Sequence, residues 1–363
     1  SINNIVESER RCFKRSVLKA RYLIAIKRGD AFMVSENQLM FEKKAIVAVD
    51  IGGTNTEIGL FENGDLIATQ TVPTIRSTSG EITDNPKEYL DVLADRIKEL
   101  VNSQGFTGIR AVGMGVPGRV DSDNGMALSA ANLFWKNVPI AKEMSKRLDA
   151  NVWIDNDVRI YALGEATAGA GIGYQNMICI TLGTGLAAGV ILNGSLLRGS
   201  HLLAGEIGHD KVENNTIKCN CGEIGCLETI ASASGIAKLA KQAVNNNEKT
   251  SLATLQSEIQ AADVYQAAVN GDKVANNIFD YVGSELGKKL AAFISLVDPD
   301  AIIVGGGVAK AGDMILNPIR KQVANNFTLS GNSTEIVQGK LGNKAGLIGA
   351  AHFALSGGVV DGE

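Results

Sequence analysis

The sequence predicts an α/β protein built from two domains. From about residue 45 onward, short apolar runs with strand character alternate with segments of helical periodicity. Several of these runs end in glycine-rich turns, and the 363 residues include 41 glycines. A hydrophobic fraction of 45% and a charged fraction of 20% are typical of a soluble globular enzyme, and the length is sufficient for two domains.

The first elements after residue 44 are a strand and a hairpin. The apolar run AIVAVDIGG predicts a strand that ends at Asp50. The chain continues as EIGLFENGDLIATQTV, in which Asn63-Gly64 is a two-residue turn signal between β-rich runs. A helix is expected over about residues 85–103, with Pro86 near its first turn.

The later strands deliver polar residues or glycines at their ends. IRAVGMGVPGRV predicts a strand that ends in a glycine-rich loop, and ANVWIDNDV predicts one that ends at Asn156 and Asp157. A helix then begins in RIYALGEATAG, and NMICITLGTGLAAGVILNG is a second strand, turn and strand. LAAFISLVDPDAIIVGGGVAKAG predicts a helix, a turn at Pro299 and a strand that runs into three glycines.

Two Gly/Thr turns, DIGGTNT and TLGTGLA, predict a polyphosphate site. Glycine lets backbone N–H groups approach an anion, and threonine hydroxyls add donors. Asp50 leads the first turn and is a candidate partner of Mg²⁺ through water, the alternative being an aspartate that caps a turn. The three glycines near the C-terminus leave space for a flat ring or a ribose. The residues expected at this site are Asp50, Gly52, Gly53, Thr54, Asn55, Gly183, Thr184, Gly185, Gly305, Gly306 and Gly307.

Several classes of protein are excluded or disfavoured. No G-x-G-x-x-G follows the first strand with an acidic residue about twenty positions later, and no G-x-x-x-x-G-K-[ST] loop occurs. No apolar run is long enough to span a bilayer. The N-terminus does not resemble a signal peptide, so we expect a cytoplasmic protein, in which disulfides are rare. The net charge of −4 argues against a nucleic-acid-binding surface over the whole molecule.

The segment GEIGHDKVENNTIKCNCGEIGCLE predicts a metal site. One histidine and three cysteines lie between the carboxylates of Glu206 and Glu228, and a Cys₃His set is a closed tetrahedral site for structural zinc. Gly222 and Gly225 permit the tight turns that this spacing needs. The alternative is that the cysteines are free or disulfide-bonded, whereas Cys179, in the apolar run MICITL, is expected in the core. The predicted ligands are His209, Cys219, Cys221 and Cys226.

Taken together and in order, these motifs resemble the signature of the ROK family (repressors, open reading frames and kinases) over about residues 45 to 355. Within that family the chain most resembles the bacterial ATP-dependent glucokinases. The resemblance implies the two-domain fold of the actin/Hsp70/sugar-kinase superfamily, an actin-like ATPase fold that closes over ATP and a sugar in an interdomain cleft. The motifs are DIGGT at 50–54, GVPG at 115–118, NDV with ALGE at 156–165, TLGTG at 181–185, GEIGH at 205–209, CNCGEIGCLE at 219–228 and GGGV at 305–308.

The resemblance also implies a reaction, the transfer of a phosphoryl group from ATP to the 6-hydroxyl of a hexose, with glucose as the expected sugar. A sugar hydroxyl is a poor nucleophile, and Asp157 matches the aspartate that accepts its proton, although a helix N-cap is an alternative role. The expected cofactors are ATP with Mg²⁺ and structural Zn²⁺. His209 is expected to use one ring nitrogen for zinc and the other for a sugar hydroxyl. The expected sugar-binding residues are Asn132, Asn156, Asp157, Glu206, His209 and Glu228.

The sequence leaves alternatives open for the preferred sugar and for the class of function. N-acetylhexosamine and mannose kinases of the family share most of these motifs, and a sugar-responsive transcription regulator is the alternative from another class. Retention of Asp157, Asp50 and both phosphate turns favours the kinase. Arg159 and Tyr161 depart from the family, many members of which have small residues there. The resemblance implies a homodimer or homotetramer.

We expect three segments: a basic N-terminal extension at residues 1–44, a small α/β domain at 45–155 and a large α/β domain at 156–363 with the zinc loop at 209–226. The extension has ten basic and five acidic residues, a net charge of +5 that leaves −9 for the rest. Residues 1–39 have no counterpart in the family's kinases. They are a fragment of a winged helix-turn-helix, a leader upstream of a start at Met40, or a basic amphipathic helix, and we favour the second interpretation over DNA binding.

Overall fold

Two five-stranded sheets with the same strand order form the framework of the protein in a computed structural model, which describes residues 43–75, 80–331 and 333–360. The first sheet has the order β3-β2-β1-β4-β8, and the second has the order β11-β10-β9-β12-β13. A three-stranded sheet, β5-β6-β7, accompanies the first. The strands are β1 (Lys44–Ile51), β2 (Asn55–Glu62), β3 (Asp65–Pro73), β4 (Gly108–Val116), β5 (Arg119–Asp121), β6 (Met126–Ala130), β7 (Trp135–Val138), β8 (Asn151–Asn156), β9 (Met177–Leu182), β10 (Leu186–Leu192), β11 (Ser195–Leu196), β12 (Ala301–Gly305) and β13 (Glu335–Gln338).

Helices connect and cover the sheets. They are α1 (Lys87–Ser103), α2 (Ile140–Leu148), α3 (Asp157–Ala168), α4 (Ala233–Asn245), α5 (Ala261–Val269), α6 (Lys273–Val297), α7 (Asp313–Asn326) and α8 (Lys344–Leu355). None of those in the described ranges has the length and apolar character that a bilayer crossing requires.

The predicted hairpins are confirmed in both sheets. Asn63 and Gly64 have φ angles of 54° and 94°, as the tight turn between β2 and β3 requires. In each sheet a central strand pairs antiparallel with the next strand in the chain and parallel with a later one, β1 with β4 and β9 with β12. The carboxyl ends of the parallel strands therefore lie at one edge of each sheet, where ligands of α/β proteins bind.

Helices α3 and α8 share one core cluster with residues of both sheets, including Ile46 of β1 and Ile303 of β12. The two helices approach closely because glycines of each helix lie against the backbone of the other. A Cβ at Gly164 would overlap the Ala345 carbonyl. Helix α3 begins where β8 ends, so its first residue lies at the carboxyl edge of the first sheet.

The element boundaries agree with the sequence predictions with small differences. Helix α1 begins at Lys87, because Pro86 is its N-cap residue and not part of its first turn. Helix α6 ends at Val297, before the predicted turn at Pro299, with Asp298 in the left-handed region at φ 47°. Cys179 is fully buried, as predicted. Residues 1–42, which hold Cys12 and almost all of the predicted extension, lie outside the described residues. The division at residue 155 stays a prediction.

Candidate functional site

Asp157 is the first residue of α3, directly after the end of β8. Its Oδ1 accepts hydrogen bonds from the Val158 backbone N–H and from the Asn156 side-chain amide, both at 2.9 Å. The N-cap is Asn156, whose Oδ1 accepts from the N–H groups of Val158 at 3.0 Å and Arg159 at 3.2 Å. The alternative role of Asp157 as the N-cap is therefore wrong, because Asn156 occupies that position.

All of the hydrogen-bonding capacity of the Asn156 amide is engaged within the protein. Besides the bond to Asp157, its Nδ2 donates to the Gly118 carbonyl at 2.9 Å. The amide thus connects the loop after β4 with the start of α3 and orients the Asp157 carboxylate. Its predicted contact with a sugar stays a prediction.

Asp50 and Asp157 face one another across Gly115. A Cβ at Gly115 would lie 3.3 Å from Asp157 Cα and 3.4 Å from Asp50 Oδ1. Burial, and next the Asp50 charge, raise the pKa of Asp157 to about 7. Burial, and next Glu57, raise the pKa of Asp50 to about 6. Both carboxylates have raised pKa values, so each favours its protonated form. Such a pair is suited to a site in which Asp157 accepts a proton and Asp50 lies beside a hydrated cation.

A hydrogen-bonded cluster below the first glycine turn fixes its shape. The Gly52 N–H donates to the Asn55 carbonyl, and the Thr74 hydroxyl donates to the Gly52 carbonyl, both at 2.9 Å. Thr56 in turn bonds Thr74 at 2.9 Å and the Tyr89 hydroxyl at 2.6 Å. This chain of buried hydroxyls reaches from α1 to the turn, whose residues Gly53, Thr54 and Asn55 lie nearer the surface.

The second glycine turn rests on Glu228. The Leu186 N–H donates to Glu228 Oε2 at 3.0 Å, and a Cβ at Gly185 would overlap this oxygen. Within the turn the Gly183 N–H donates to the Gly185 carbonyl at 3.0 Å, and the Thr184 carbonyl accepts from Ser234 at 3.0 Å. A residue predicted to bind sugar therefore also supports a predicted phosphate turn.

The third glycine turn lies beside the second because Gly305 of β12 is in register with Thr181 of β9. Gly306 has φ 84°, and a Cβ there would lie 2.5 Å from the Leu182 carbonyl oxygen. A Cβ at Gly305 would lie 2.5 Å from the Tyr161 hydroxyl, whereas one at Gly307 would meet nothing within 4 Å. Only Gly307 is open, so a ligand has access to the turn from that side.

The structure brings the four predicted metal ligands together. One donor atom of each of His209, Cys219, Cys221 and Cys226 lies within 4.8 Å of the others. His209 Nδ1 lies 3.9 Å from the Cys219 sulfur, and the Cys221 and Cys226 sulfurs are 3.7 Å apart. Gly222 and Gly225 have φ angles of 97° and 86°, as the tight turns require.

The other ring nitrogen of His209, Nε2, lies 3.6 Å from a carboxylate oxygen of Glu206. The Cys219 sulfur lies 3.6 Å from Glu228 Oε1. The cluster therefore lies between the two carboxylates predicted to bind a sugar, and a closed set of three thiols and one imidazole fits Zn²⁺.

Asn132 is exposed on the short 3₁₀ turn Ala131–Leu133. The preceding strand β6 runs beside Gly118, at which a Cβ would overlap the Ser129 carbonyl, and the Gly118 carbonyl accepts from Asn156. Asn132 thus follows the strand that lies beside the loop bonded to Asn156. Glu206 is also exposed, as a sugar contact must be.

Several residues that support the site from within the protein are not predicted from the sequence. These are Thr56, Thr74 and Tyr89 under the first turn, and Asp155 next to Asn156, a buried carboxylate that pairs with the buried Arg159 and the partly exposed Arg198. The one available signal was an aspartate within the apolar run ANVWIDNDV, which required a buried partner.

Two repeats of the same five-stranded sheet, with glycine turns at the ends of their central strands and two helices packed between them, define an actin-like ATPase fold. The ROK family pattern matches residues 46–356, and the chain belongs to the ROK family. The resemblance seen in the sequence motifs is confirmed.

The relatives of this chain include glucokinases and repressors. A glucokinase of Halalkalibacterium halodurans is 36% identical over 310 residues, which cover 84% of this chain and 92% of the relative. A crystal structure of a ROK family glucokinase from Streptomyces griseus in complex with glucose and AMPPNP is 33% identical, with a TM-score of 0.70 over 86% of this chain and 99% of that one. A xylose repressor of Bacillus subtilis is 26% identical over 362 residues, which cover 96% of this chain and 89% of the repressor.

Proposed function

We propose that this protein is an ATP-dependent hexokinase that phosphorylates glucose at its 6-hydroxyl. The observation that carries the proposal is the Asp157 carboxylate, held at the end of β8 by Asn156 and facing Asp50, with a pKa raised to about 7. The glucokinase relatives support the same activity for a chain of this family.

Asp157 would act as the general base. A carboxylate with a pKa near the working pH accepts the proton of the attacking hydroxyl while it still ionises at neutral pH. The Asn156 amide and the Val158 N–H both bond Oδ1 of Asp157, and we assign proton transfer to the other carboxylate oxygen, Oδ2. Phosphoryl transfer depends mainly on positioning and charge neutralisation, so the base needs a fixed direction more than high basicity.

The three glycine turns would hold ATP. The first two would present backbone N–H groups and threonine hydroxyls to the phosphates. The turn at 305–307 would carry the adenosine on the open side of Gly307. Asp50 would hold Mg²⁺ through water, and this ion would neutralise charge on the phosphates. Burial raises the pKa of the Asp50 carboxylate in the absence of a cation, so a cation nearby would stabilise its ionised form.

Structural zinc would occupy the His209, Cys219, Cys221 and Cys226 cluster. His209 would bind through Nδ1, and Nε2 would then bond a sugar hydroxyl or Glu206. Glu206 and Glu228 would accept from vicinal hydroxyls, with Asn132 as a further sugar contact. Asn156 would also contact the sugar, and for this its Nδ2 would exchange the bond to the Gly118 carbonyl for one to a sugar hydroxyl. An N-acetylhexosamine or mannose is the alternative sugar.

We also propose a domain arrangement and an oligomeric state for this protein. The halves at 45–155 and 156–363 would close over ATP and sugar, and the assembly would be a homodimer or homotetramer. Light scattering on the purified chain tests the assembly.

A sugar-responsive regulator is the second candidate, favoured by one observation. The alignment with the xylose repressor covers 96% of this chain, more than residues 43–363 alone, so it includes part of the basic N-terminal segment.

A coupled ADP-release assay with ATP and Mg²⁺ tests the function, with glucose, mannose, N-acetylglucosamine and N-acetylmannosamine as acceptors. We expect turnover on glucose, and its loss in Asp157→Ala with glucose binding retained. The exposed Asp95→Ala is the matched control. Turnover on an N-acetylated sugar alone would change the substrate, and sugar binding without turnover would favour the regulator.

A further inference from the structure

A buried charge network joins the start of α3 to the loop of residues 197–205, which leads to Glu206. Asp155 is fully buried at the end of β8 and accepts from two arginines. Arg159 Nη1 donates to its Oδ1 at 2.9 Å, and Arg198 Nε donates to its Oδ2 at 2.8 Å. Arg159 is 3% exposed, so this part of the network is shielded from water.

Arg159 makes a second contact with the same loop. Its Nη2 donates to the Leu202 carbonyl at 2.8 Å. Leu202 has φ 60°, a left-handed conformation that is unfavourable for a leucine and persists only where its surroundings hold it. Arg159 lies outside the loop, and its hydrogen bond to the Leu202 carbonyl stabilises this conformation.

The end of the loop is attached to the second sheet. The Ala188 N–H of β10 donates to the Gly205 carbonyl at 2.8 Å, and a Cβ at Gly205 would overlap the Ala188 carbonyl. The loop is thus fixed at Arg198, Leu202 and Gly205. Glu206 is the next residue, and His209 follows three positions later.

Stability alone does not account for this network. One carboxylate between two guanidinium groups leaves an excess positive charge, and apolar residues often replace buried ion pairs without loss of stability. Among the described residues, Arg159 Nε and Arg198 Nη2 are buried without a hydrogen-bond partner, which adds a further cost. A network of this kind is better suited to setting a geometry.

We propose that Arg159 and Arg198, through their shared partner Asp155, are positioning residues that hold the 197–205 loop against the helix of the general base and thereby set the place of Glu206 in the sugar site. The inference rests on the proposed function. It also explains why Arg159 stands where many family members have a small residue, since its side chain bonds a buried carboxylate and a strained loop.

The two arginines differ in how they bond, and this difference gives the test. Arg198 makes one contact, which a lysine can replace by its charge, whereas Arg159 bonds a carboxylate and a carbonyl through separate nitrogens, which a single ammonium cannot match. We expect Arg198→Gln and Arg159→Lys to raise the KM for glucose about tenfold or more. Arg198→Lys should stay within about threefold of the wild type, and the KM for ATP should stay unchanged in all three.

Arg320 is the matched control, because it also bonds one carbonyl and one carboxylate. These are the backbone carbonyl of Ile336 in β13 and the side chain of Asp313 in α7. Arg320→Gln should leave the KM for glucose unchanged. Unchanged glucose KM in Arg198→Gln and Arg159→Lys, or an equal rise in Arg320→Gln, would overturn the proposal.

Hydrogen exchange of residues 197–206 provides a readout that needs no turnover. We expect faster exchange of this loop in Arg198→Gln and Arg159→Lys but not in Arg198→Lys or Arg320→Gln. Unaltered exchange in the first two variants would overturn the proposal, whereas faster exchange in a protein without kinase activity would reject the proposed function and leave the positioning intact.

Discussion

The side-chain amide of Asn156 donates to the Asp157 carboxylate over 2.9 Å while its oxygen caps the helix that Asp157 begins. One residue therefore performs two tasks, one for the stability of α3 and one for the direction of the carboxylate. Substitutions can separate the two tasks because the cap needs only an acceptor.

Asn156→Ser should retain most of the stability and lose activity. A serine hydroxyl caps a helix about as well as asparagine, but it is too short to donate to both the Gly118 carbonyl and Asp157. Asn156→Ala should lose about 1 kcal/mol of unfolding free energy as well as activity. Denaturant unfolding and kcat measured side by side test this. A serine variant with wild-type kcat would show that the bond to Asp157 has no role in turnover.

The pH dependence of activity should follow Asp157. A base must be ionised to act, so kcat/KM for the sugar should rise with pH through a midpoint above the ordinary aspartate value of 3.8, because burial raises the pKa of Asp157. A pH profile of kcat/KM at saturating ATP and Mg²⁺ measures the midpoint. A midpoint near the ordinary aspartate value of 3.8 would contradict the assignment.

The raised pKa of Asp157 also predicts how stability depends on pH. Activity should rise with pH, whereas the contribution of Asp157 to the free energy of unfolding should fall. Between about pH 4 and 7 the folded protein binds more protons at Asp157 than the unfolded chain does, so this group lowers the free energy of unfolding as pH rises through that window. Asp157→Asn should therefore melt at a higher temperature than the wild type at pH 8 and at a similar temperature at pH 4. Equal shifts at both pH values would mean that ionisation of Asp157 has no part in the effect.

Loss of one thiol should release the metal and disorganise the sugar loop. Cys221→Ser removes one of four ligands, and we expect loss of bound zinc with activity reduced by about tenfold or more. Metal analysis of the purified variant and the kinase assay test this together. Cys179→Ala, outside the cluster in β9, should keep its zinc. Full zinc content and normal activity in Cys221→Ser would disprove a structural role for the metal.

Two alanine substitutions in one glycine turn should behave differently. Gly305→Ala places a methyl group against the Tyr161 hydroxyl and should cost about 1–3 kcal/mol of stability by overpacking, whereas Gly307→Ala meets no neighbour. Gly307→Ala should instead raise the KM for ATP with stability within about 0.5 kcal/mol of the wild type. Thermal unfolding and ATP kinetics distinguish the two, and in a Tyr161→Ala background the further substitution Gly305→Ala should cost little additional stability.

Features encoded by neighbouring residues could be predicted from the sequence. The hairpin at Asn63-Gly64, the two Gly/Thr turns and the clustered ligands from His209 to Cys226 each depend on backbone preferences or ligand chemistry within a short segment. The order of these motifs was also sufficient to predict the ROK family and its fold, which the comparisons confirm.

Only the tertiary structure decided which side chains support the site from within. Arg159 and Leu202 are 43 residues apart, Thr56 and Tyr89 are 33 apart, and Tyr161 meets Gly305 across two elements. It also decided that Asn156, and not Asp157, caps α3. These pairings depend on how sheets and helices pack at distances of a few ångströms, and a buried donor or acceptor takes whichever partner that packing brings within reach.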